Sequence, residues 1–213
     1  MGNARKLHLG CGSKNLEGWI NIDSVAENNP DVVLDIAEPL PYPDLSVDEI
    51  LAEDLLEHFD KYARFLVFYQ WVRVLKIGGK VIVQVPNFKK ILIKYFKFKY
   101  ADFVDFLFGE NLWEAKVYIG HFGNHKWGYS KESLLAFVKQ FGISNIKLES
   151  KGLNLRLIGI KASHMTEDEL GEIKVHSHNN RFGSPKLYDV PMSFVREKIK
   201  FFQENNHKHH ARS

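Results

Sequence analysis

Short apolar runs alternate with helical patterns along the chain, and this alternation limits the possible folds more than any other feature of the sequence. Runs of this kind are typical of strands that are buried on both faces of a parallel sheet. An open, doubly wound α/β sheet with right-handed crossovers is therefore expected. The predicted strands are Lys6–Leu9, Trp19–Ile22, Val32–Leu34, Glu49–Ala52, Lys80–Val85, Asn145–Glu149 and Leu155–Lys161.

Two helices are predicted between these strands. In Leu55–Leu75 the apolar residues recur every three or four positions, and Gly78-Gly79 marks the expected end. The second helix is Lys131–Phe141, with Ser130 as its N-cap and Gly142 as its stop. By contrast, only Ser13–Glu17 separates the first two strands, so their crossover is predicted to be a loop or a single turn.

Two segments fall outside the alternation. Asn87–Trp127 is rich in aromatic residues and lysine and follows the fifth strand. Ligands of open α/β sheets bind beyond the carboxyl ends of the strands, so this insertion is expected to cover a substrate. The chain is accordingly divided into a domain of residues 1–163 and a C-terminal extension of residues 164–213, with one helix predicted over Ser193–Asn205.

Composition excludes several classes of protein. The net charge is only +3, so the sequence does not predict nucleic-acid binding. The lysines of residues 89–99 alternate with aromatics and would suit a phosphate-bearing partner, but a solvated amphipathic helix is the better explanation. Cys11 is the single cysteine, and no window of the chain is apolar enough to span a membrane. These features predict a cytoplasmic protein without a membrane span.

The residues after the first three strands suggest a nucleoside site. Gly10 and Gly12 follow the first strand, where the backbone must turn sharply and approach a ligand closely. The second strand ends at Asp23, whose carboxylate is suited to accept hydrogen bonds from two ribose hydroxyls. The third is followed by Asp35, spaced to reach an adenine amino group. A dinucleotide site is the alternative, but Asn15 stands where a third glycine would be required and Asp23 follows Gly10 too soon.

Five motifs in this order resemble the small class I methyltransferases. They are Leu7-His8-Leu9-Gly10-Cys11-Gly12, Gly18-Trp19-Ile20-Asn21-Ile22-Asp23, Pro39-Leu40-Pro41-Tyr42, Leu56-Glu57-His58-Phe59 and Lys76-Ile77-Gly78-Gly79-Lys80. The resemblance covers roughly Lys6–Lys161. It implies a Rossmann-like, mostly parallel seven-stranded sheet and S-adenosylmethionine as the methyl donor.

The resemblance also implies where the cofactor lies. Gly10 and Gly12 would lie near its methionine portion, Asp23 at the ribose, and Asp35 with Ile36 at the adenine. His8 stands where many relatives carry an acidic residue. The full set of expected cofactor-binding residues is His8, Gly10, Cys11, Gly12, Asp23, Ser24, Asp35, Ile36 and Glu53.

Methyl transfer from a sulfonium requires mainly alignment, and a base helps when the acceptor is a hydroxyl. His58, His121 and His125 are the candidate bases, although each also has a structural interpretation as a turn or loop residue. No metal site is expected, because the tail histidines His207, His209 and His210 are interpreted as solvated.

The acceptor is predicted to be a small molecule or a glycan precursor, methylated on oxygen. The segment Ala52-Glu53-Asp54-Leu55 lacks the Pro-Pro-aromatic motif of enzymes that methylate amino groups of nucleic acids. The alternative is a methyltransferase-like binding subunit without turnover, which His8 and the short first crossover would favour. The sequence does not predict the oligomeric state.

Overall fold

Seven strands form a single sheet in a computed structural model that describes residues 4–60, 63–95 and 125–164. The strands are β1 (Lys6–Leu9), β2 (Ile20–Asp23), β3 (Val32–Val33), β4 (Val47–Glu53), β5 (Leu75–Pro86), β6 (Ile143–Lys151) and β7 (Asn154–Lys161). Their order is β3-β2-β1-β4-β5-β7-β6, and only β7 runs antiparallel to its neighbours. The predicted mostly parallel seven-stranded sheet is confirmed.

The chain divides after His164 into two units, Met1–His164 and Met165–Ser213. The second unit lies outside the described residues, together with the helix predicted over Ser193–Asn205 and the tail histidines. Most of the predicted substrate cover, residues 96–124, also lies outside them. These predictions therefore stay predictions.

The first half of the sheet is connected without α-helices. The link from β1 to β2 is a loop, as its short length predicted, and its turns are closed by hydrogen bonds from Lys14 N–H to the Cys11 carbonyl and from Trp19 N–H to the Leu16 carbonyl. Between β2 and β3 there is a single 3-10 turn, Ala26–Asn28. Short connections therefore join the first three strands. Because these strands are parallel neighbours, their carboxyl ends lie close to one another.

The predicted helix Leu55–Leu75 is wrong at its start. A 3-10 turn, Leu56–His58, comes first, and Phe59 is extended. Helix α1 is Ala63–Val74, and the Asp60 carboxylate accepts a hydrogen bond from Ala63 N–H at 2.8 Å. The three- to four-residue spacing of apolar side chains continues through the turn, so the periodicity did not reveal the break.

Helix α1 also ends differently from the prediction, because it runs directly into β5 at Leu75. Gly78-Gly79 lies inside that strand, beside a register shift between β4 and β5, and does not end the helix. The last carbonyls of α1 are bonded by groups from elsewhere in the chain. The Val72, Arg73 and Val74 carbonyls accept from Lys161 Nζ, Leu45 N–H and Ser46 N–H. A glycine cap is unnecessary when tertiary partners bond the carbonyls at the helix end.

Two further helices complete the described part of the chain, α2 (Phe88–Tyr95) and α3 (Lys131–Lys139). The predicted N-cap Ser130 is confirmed, since its hydroxyl accepts from Ser133 N–H at 3.2 Å in a capping box. Helix α3 ends two residues before the predicted Phe141. No helix among the described residues has the length and apolar character that a bilayer crossing requires.

The core lies on both faces of the central strands and between the helices. Leu7, Ile22, Ile50 and Val81 are buried in neighbouring strands. Helix α1 contributes Phe68, whose ring lies 5.2 Å from that of Phe137 and 4.9 Å from that of Phe141. This aromatic cluster packs α1 against the α3 region.

Candidate active site

An open pocket of ≈ 330 Å³ lies at the carboxyl ends of β1, β4 and β5. The strand order reverses between β1 and β4, and ligands of doubly wound sheets bind at such a reversal. The lining residues are His8, Gly10, Cys11, Lys14, Glu53, Asp54, Gln84, Lys151 and Asn154. Four of the expected cofactor residues, His8, Gly10, Cys11 and Glu53, therefore come together here.

The glycine turn requires glycine for two different reasons. Both Gly10 and Gly12 have positive φ, +60° and +52°, where other residues are strained. A Cβ on Gly10 would lie 2.8 Å from Leu55 Cδ1, so this position is closed by packing. A Cβ on Gly12 would meet nothing within 4 Å, so this position faces open space. A side chain is therefore opposed by both packing and backbone conformation at Gly10, and by backbone conformation alone at Gly12.

Cys11 lies between these glycines, and its side chain is buried. Its backbone N–H donates to the Ile22 carbonyl at 3.1 Å. Burial, with a smaller contribution from Asp23, raises the pKa of the thiol to about 11. The thiol is therefore protonated at neutral pH, which fits a small turn residue and not a nucleophile.

Asp23 holds the glycine turn against β2. Its buried carboxylate accepts from Gly12 N–H at 2.8 Å, Val25 N–H at 2.8 Å and Asn28 Nδ2 at 3.3 Å. A carboxylate offers about four acceptor positions, so these bonds leave about one. Asp23 does not line the pocket in this conformation, and its contact with a ribose stays a prediction.

His8 is a neutral lining residue. It is buried, and its ring Nδ1 lies 3.3 Å from Asn21 Oδ1. Asn21 is held in turn by Asp31, whose Oδ2 accepts from its backbone N–H and from Nδ2. Burial lowers the pKa of His8, although the Asn21 bond and Glu53 oppose the shift. An uncharged imidazole therefore lines the pocket beside the glycine turn.

Glu53, at the end of β4, supplies negative charge to the pocket. Its carboxylate bonds Lys14 Nζ at 2.6 Å and an Arg156 guanidinium nitrogen at 2.5 Å. Burial alone would raise the pKa of Glu53, but these two cations outweigh it and hold the pKa below its usual range. Glu53 is therefore ionised at neutral pH, with a cation on either side.

Several lining residues were missed by the sequence analysis. Asn154 Nδ2 and Gln84 Nε2 both donate to the Asp54 carboxylate, each at 3.2 Å. Asn154 reaches the site because β7 runs antiparallel to β5 and pairs Asn154 with Pro86. The order of the strands is not visible in the sequence, so nothing there indicated Lys151, Asn154 or Arg156.

Three expected cofactor residues lie after β2 and β3 and do not line the pocket. Ser24 is exposed, and Ile36 is buried. Asp35 Oδ1 accepts from Ala37 N–H at 2.9 Å, which fixes a local turn. Their contact with an adenine stays a prediction.

Two of the three candidate bases come together. The rings of His58 and His125 lie 5.0 Å apart, with 55° between their planes. The buried carboxyl of Glu57 lies beside them, with its Oε1 4.0 Å from His125 Nε2. The third candidate base, His121, lies outside the described residues.

Backbone hydrogen bonds fix this group of side chains. Lys126 N–H and Trp127 N–H both donate to the Glu57 carbonyl, at 2.8 Å and 3.0 Å. The end of the insertion is thereby bound to the turn that follows β4. Asp54 lines the pocket, and His125 is close enough to act electrostatically on the Asp54 carboxyl, so the histidine pair lies near the pocket without lining it.

A family model described as a methyltransferase domain matches residues 14–83, from just after the glycine turn into β5. This match covers about a third of the chain, and the seven-stranded sheet is the one that the resemblance to class I methyltransferases implied. No curated protein sequence matches the chain at a significant level. The match and the shared fold support S-adenosylmethionine as the methyl donor.

Solved structures share the fold. A SAM-dependent methyltransferase from Archaeoglobus fulgidus is 17% identical, with a TM-score of 0.53 over 75% of this chain and 87% of that one. A possible histamine N-methyltransferase from Thermotoga maritima is 17% identical, with a TM-score of 0.51 over 76% and 84%. A putative methyltransferase from Haloferax volcanii, in complex with the Trm112 activator, is 13% identical, with a TM-score of 0.53 over 77% and 84%. At these identities the likeness concerns the fold alone.

The residues present fit the cofactor. The methionine end of S-adenosylmethionine carries an ammonium, a carboxylate and a sulfonium. The pocket offers the carboxylates of Glu53 and Asp54 for the positive groups and the ammonium groups of Lys14 and Lys151 for the negative one. Gly10 and Cys11 line the same pocket, so a ligand there would approach the backbone of the glycine turn.

Proposed function

We propose that the methyltransferase transfers a methyl group from S-adenosylmethionine to a hydroxyl of a small molecule or glycan precursor. The observation that carries this proposal is the adjacency of two features: a pocket of mixed charge at the strand reversal and a pair of histidines beside it. The first suits a zwitterionic donor. The second suits an acceptor that must lose a proton.

On the donor side, Glu53 and Lys14 are the residues that orient the methionine end. Glu53 is ionised and faces the pocket, so it attracts the ammonium or the sulfonium. Lys14 is exposed and bonds Glu53 directly. Its side chain is therefore able to turn toward the carboxylate of the cofactor while staying close to Glu53. The neutral His8 adds a ring nitrogen without a second charge.

On the acceptor side, His58 or His125 takes the proton of the hydroxyl. When bound, S-adenosylmethionine supplies a methyl group already activated by the sulfonium. The protein's tasks are to align the acceptor oxygen with that methyl and to remove water from the line of attack. The hydroxyl proton passes to an unprotonated imidazole nitrogen while the acceptor oxygen bonds the methyl group. The acceptor therefore leaves no net negative charge in the pocket.

A binding subunit without turnover is the second candidate, and one observation favours it. His8 stands where an acid would bind the ammonium, and it is uncharged. Such a protein would keep the donor pocket but fail to transfer the methyl group.

The test combines calorimetry with turnover. Titration with S-adenosylmethionine and with S-adenosylhomocysteine, its demethylated product, measures donor binding. Formation of the demethylated product with panels of hydroxylated small molecules and sugar nucleotides measures transfer. Binding of both sulfur compounds with turnover supports the proposal, binding without turnover on any panel supports the binding subunit, and absence of binding contradicts both.

Glu53→Gln is the matched site variant. Loss of the carboxylate is expected to weaken S-adenosylmethionine binding by about 2 kcal/mol, or about thirtyfold. Glu49→Gln is the control, since Glu49 lies on the same strand and pairs with Lys80 at 2.6 Å, away from the pocket. Equal effects of the two variants would show that Glu53 acts only through the stability of the sheet.

A further inference from the structure

Glu57 carries a buried carboxyl beside the two histidines. Its side chain is 1% exposed, and neither Oε1 nor Oε2 is hydrogen-bonded within the described residues. Burial raises the pKa of Glu57 well above its usual range, with Asp54 adding to the shift. A buried polar group that lacks a partner costs stability unless another group binds it.

Two imidazoles converge on this carboxyl. His58 is the next residue in the chain, and His125 comes from the far end of the insertion. Ligand atoms of the three side chains all lie within 4.8 Å of one another, and His125 Nε2 is 4.0 Å from Glu57 Oε1. At 4.0 Å these two atoms are too far apart for a direct hydrogen bond.

The backbone holds the group in place. His58 N–H donates to the Leu55 carbonyl at 3.1 Å and closes the turn that presents Glu57 and His58. Lys126 and Trp127 N–H donate to the Glu57 carbonyl, so the residues beside His125 are bonded to the same turn. Two segments distant in sequence are therefore joined by main-chain bonds at the point where their side chains meet.

We propose that Glu57, His58 and His125 bind a divalent transition-metal ion, with Zn²⁺ the expected occupant. Two imidazole nitrogens and one carboxylate oxygen are a donor set that zinc accepts in proteins. With bonds of about 2.0 to 2.2 Å, a tetrahedral ion holds its ligand atoms about 3.3 Å apart. The observed separations between the ligand atoms, of up to 4.8 Å, are longer than this. Small rotations of the three side chains are enough to remove the difference.

Three protein ligands leave one tetrahedral position for water or another oxygen donor. Asp54 lines the pocket and acts electrostatically on the Glu57 carboxyl, so the two carboxyls are near each other. The fourth position of the ion would therefore be close to where an acceptor would bind. The ion would also place a positive charge beside the Glu57 carboxylate and so compensate its negative charge. An imidazole nitrogen bound to the ion is not available as a base, so an occupied site would replace the assignment of His58 and His125 as bases, and metal binding and methyl transfer are therefore measured separately.

The experiment measures metal binding by the full chain after removal of metal with a chelator. His207, His209 and His210 are replaced by Asn in every protein used, so that the tail does not bind the added metal. Zn²⁺ is titrated by calorimetry, and Co²⁺ is added separately because its visible absorption reports tetrahedral coordination. One equivalent of each is expected to bind, with intense Co²⁺ bands.

Glu57→Gln, His58→Asn and His125→Ala are each expected to weaken binding at least about 100-fold. His164→Gln is the control, since His164 lies 3.6 Å from Asp44 and outside the group. Zn²⁺ should raise the melting temperature of the parent and of the control but not of the three variants. Circular dichroism identifies a variant that fails to fold, and the remaining two then decide the outcome.

Absence of stoichiometric binding overturns the proposal, as does binding that persists in all folded variants. If Zn²⁺ does not bind and His125→Ala lowers turnover without changing donor affinity, Glu57 and the histidines act on a proton and not on a metal. Loss of metal binding with donor affinity and turnover intact would support the metal site and contradict the assignment of His58 and His125 as bases.

Discussion

At the scale of single residues, the two glycines of the turn are distinguishable by experiment. Alanine at either position adopts a left-handed conformation, at a cost of about 1 kcal/mol. Gly10→Ala also places its methyl against Leu55, so we expect it to lower the free energy of unfolding by about 2 to 3 kcal/mol. Gly12→Ala should show only the strain but lose S-adenosylmethionine binding. Urea denaturation and calorimetry measure the two effects.

The control for Gly10 is Leu55→Ala. Removing the Leu55 side chain opens the space that the new methyl needs, so Gly10→Ala should cost less in a Leu55→Ala background than in the parent. Equal costs in both backgrounds would mean that strain alone explains the glycine. A Gly12→Ala protein that binds the cofactor normally would mean that the space beside Gly12 is not used.

Asp23 is expected to act on the cofactor mainly through the turn. Asp23→Ala removes the acceptor of Gly12 N–H and Val25 N–H, so we expect a loss of about 2 kcal/mol in the free energy of unfolding together with weaker donor binding. Asp48→Ala is the control, because Asp48 also accepts from a backbone N–H, that of Arg5, but lies at the amino end of β4. A stable Asp23→Ala protein with weak donor binding would instead favour direct contact with the ribose.

At the scale of elements, Lys161 connects β7 to the end of α1. Its buried ammonium donates to the Val72 and Leu75 carbonyls at 2.6 Å and 2.7 Å. His164 Nδ1 lies 3.3 Å away, Arg73 adds positive charge and Asp44 adds negative charge. Burial, with help from Arg73 and against Asp44, lowers the pKa of Lys161 to about 8. The charge at the helix end is therefore pH-dependent.

The pH dependence of stability follows from this shift. Between about pH 8 and the unfolded value of 10.5, the unfolded chain keeps a proton that the folded chain has lost. Stability from this group therefore rises with pH across that window, on the order of 3 kcal/mol, and is constant below it. Urea denaturation from pH 7 to 10.5 should show this rise in the parent relative to Lys161→Met. Parallel curves for the two proteins would contradict the assignment.

The elements also show what the sequence was able to predict. The strands and the Ser130 cap were predicted because their signals are local: apolar runs and a hydroxyl before a helix. The ends of α1 were not, because Lys161, Leu45 and Ser46 bond its carbonyls from distant parts of the chain. A local pattern contains no information about such partners.

At the scale of the whole molecule, the same distinction separates the parts of the site. His8, the glycine turn and Glu53 were predicted because each lies at the end of a strand with a recognisable pattern. Lys151, Asn154 and Arg156 depend on the placement of β7 beside β5, which only the assembled sheet shows. The meeting of His58 and His125 likewise required the fold, since the insertion separates them in the chain.

Donor binding and acceptor specificity are expected to be separable in the whole protein. Replacing residues 97–123 by a flexible Gly-Ser linker keeps α2 and the segment from His125 onward, which bond the rest of the domain. We expect S-adenosylmethionine affinity to stay within about tenfold, or about 1.4 kcal/mol, while turnover is lost. Calorimetry and product formation measure the two. A folded protein without donor binding would place the insertion in the cofactor pocket.

The main-chain bonds from Lys126 and Trp127 to the Glu57 carbonyl have an evolutionary consequence. Together with the bridge between Asn87 and Tyr129, they fix both ends of the insertion on the domain. Doubling the length of a loop whose ends are fixed costs only about 0.6 kcal/mol. Mutation and selection can therefore lengthen, shorten or replace what lies between these attachment points at little cost to folding. A lineage that keeps the attachment points can acquire a new acceptor while the machinery that holds the methyl donor is inherited unchanged.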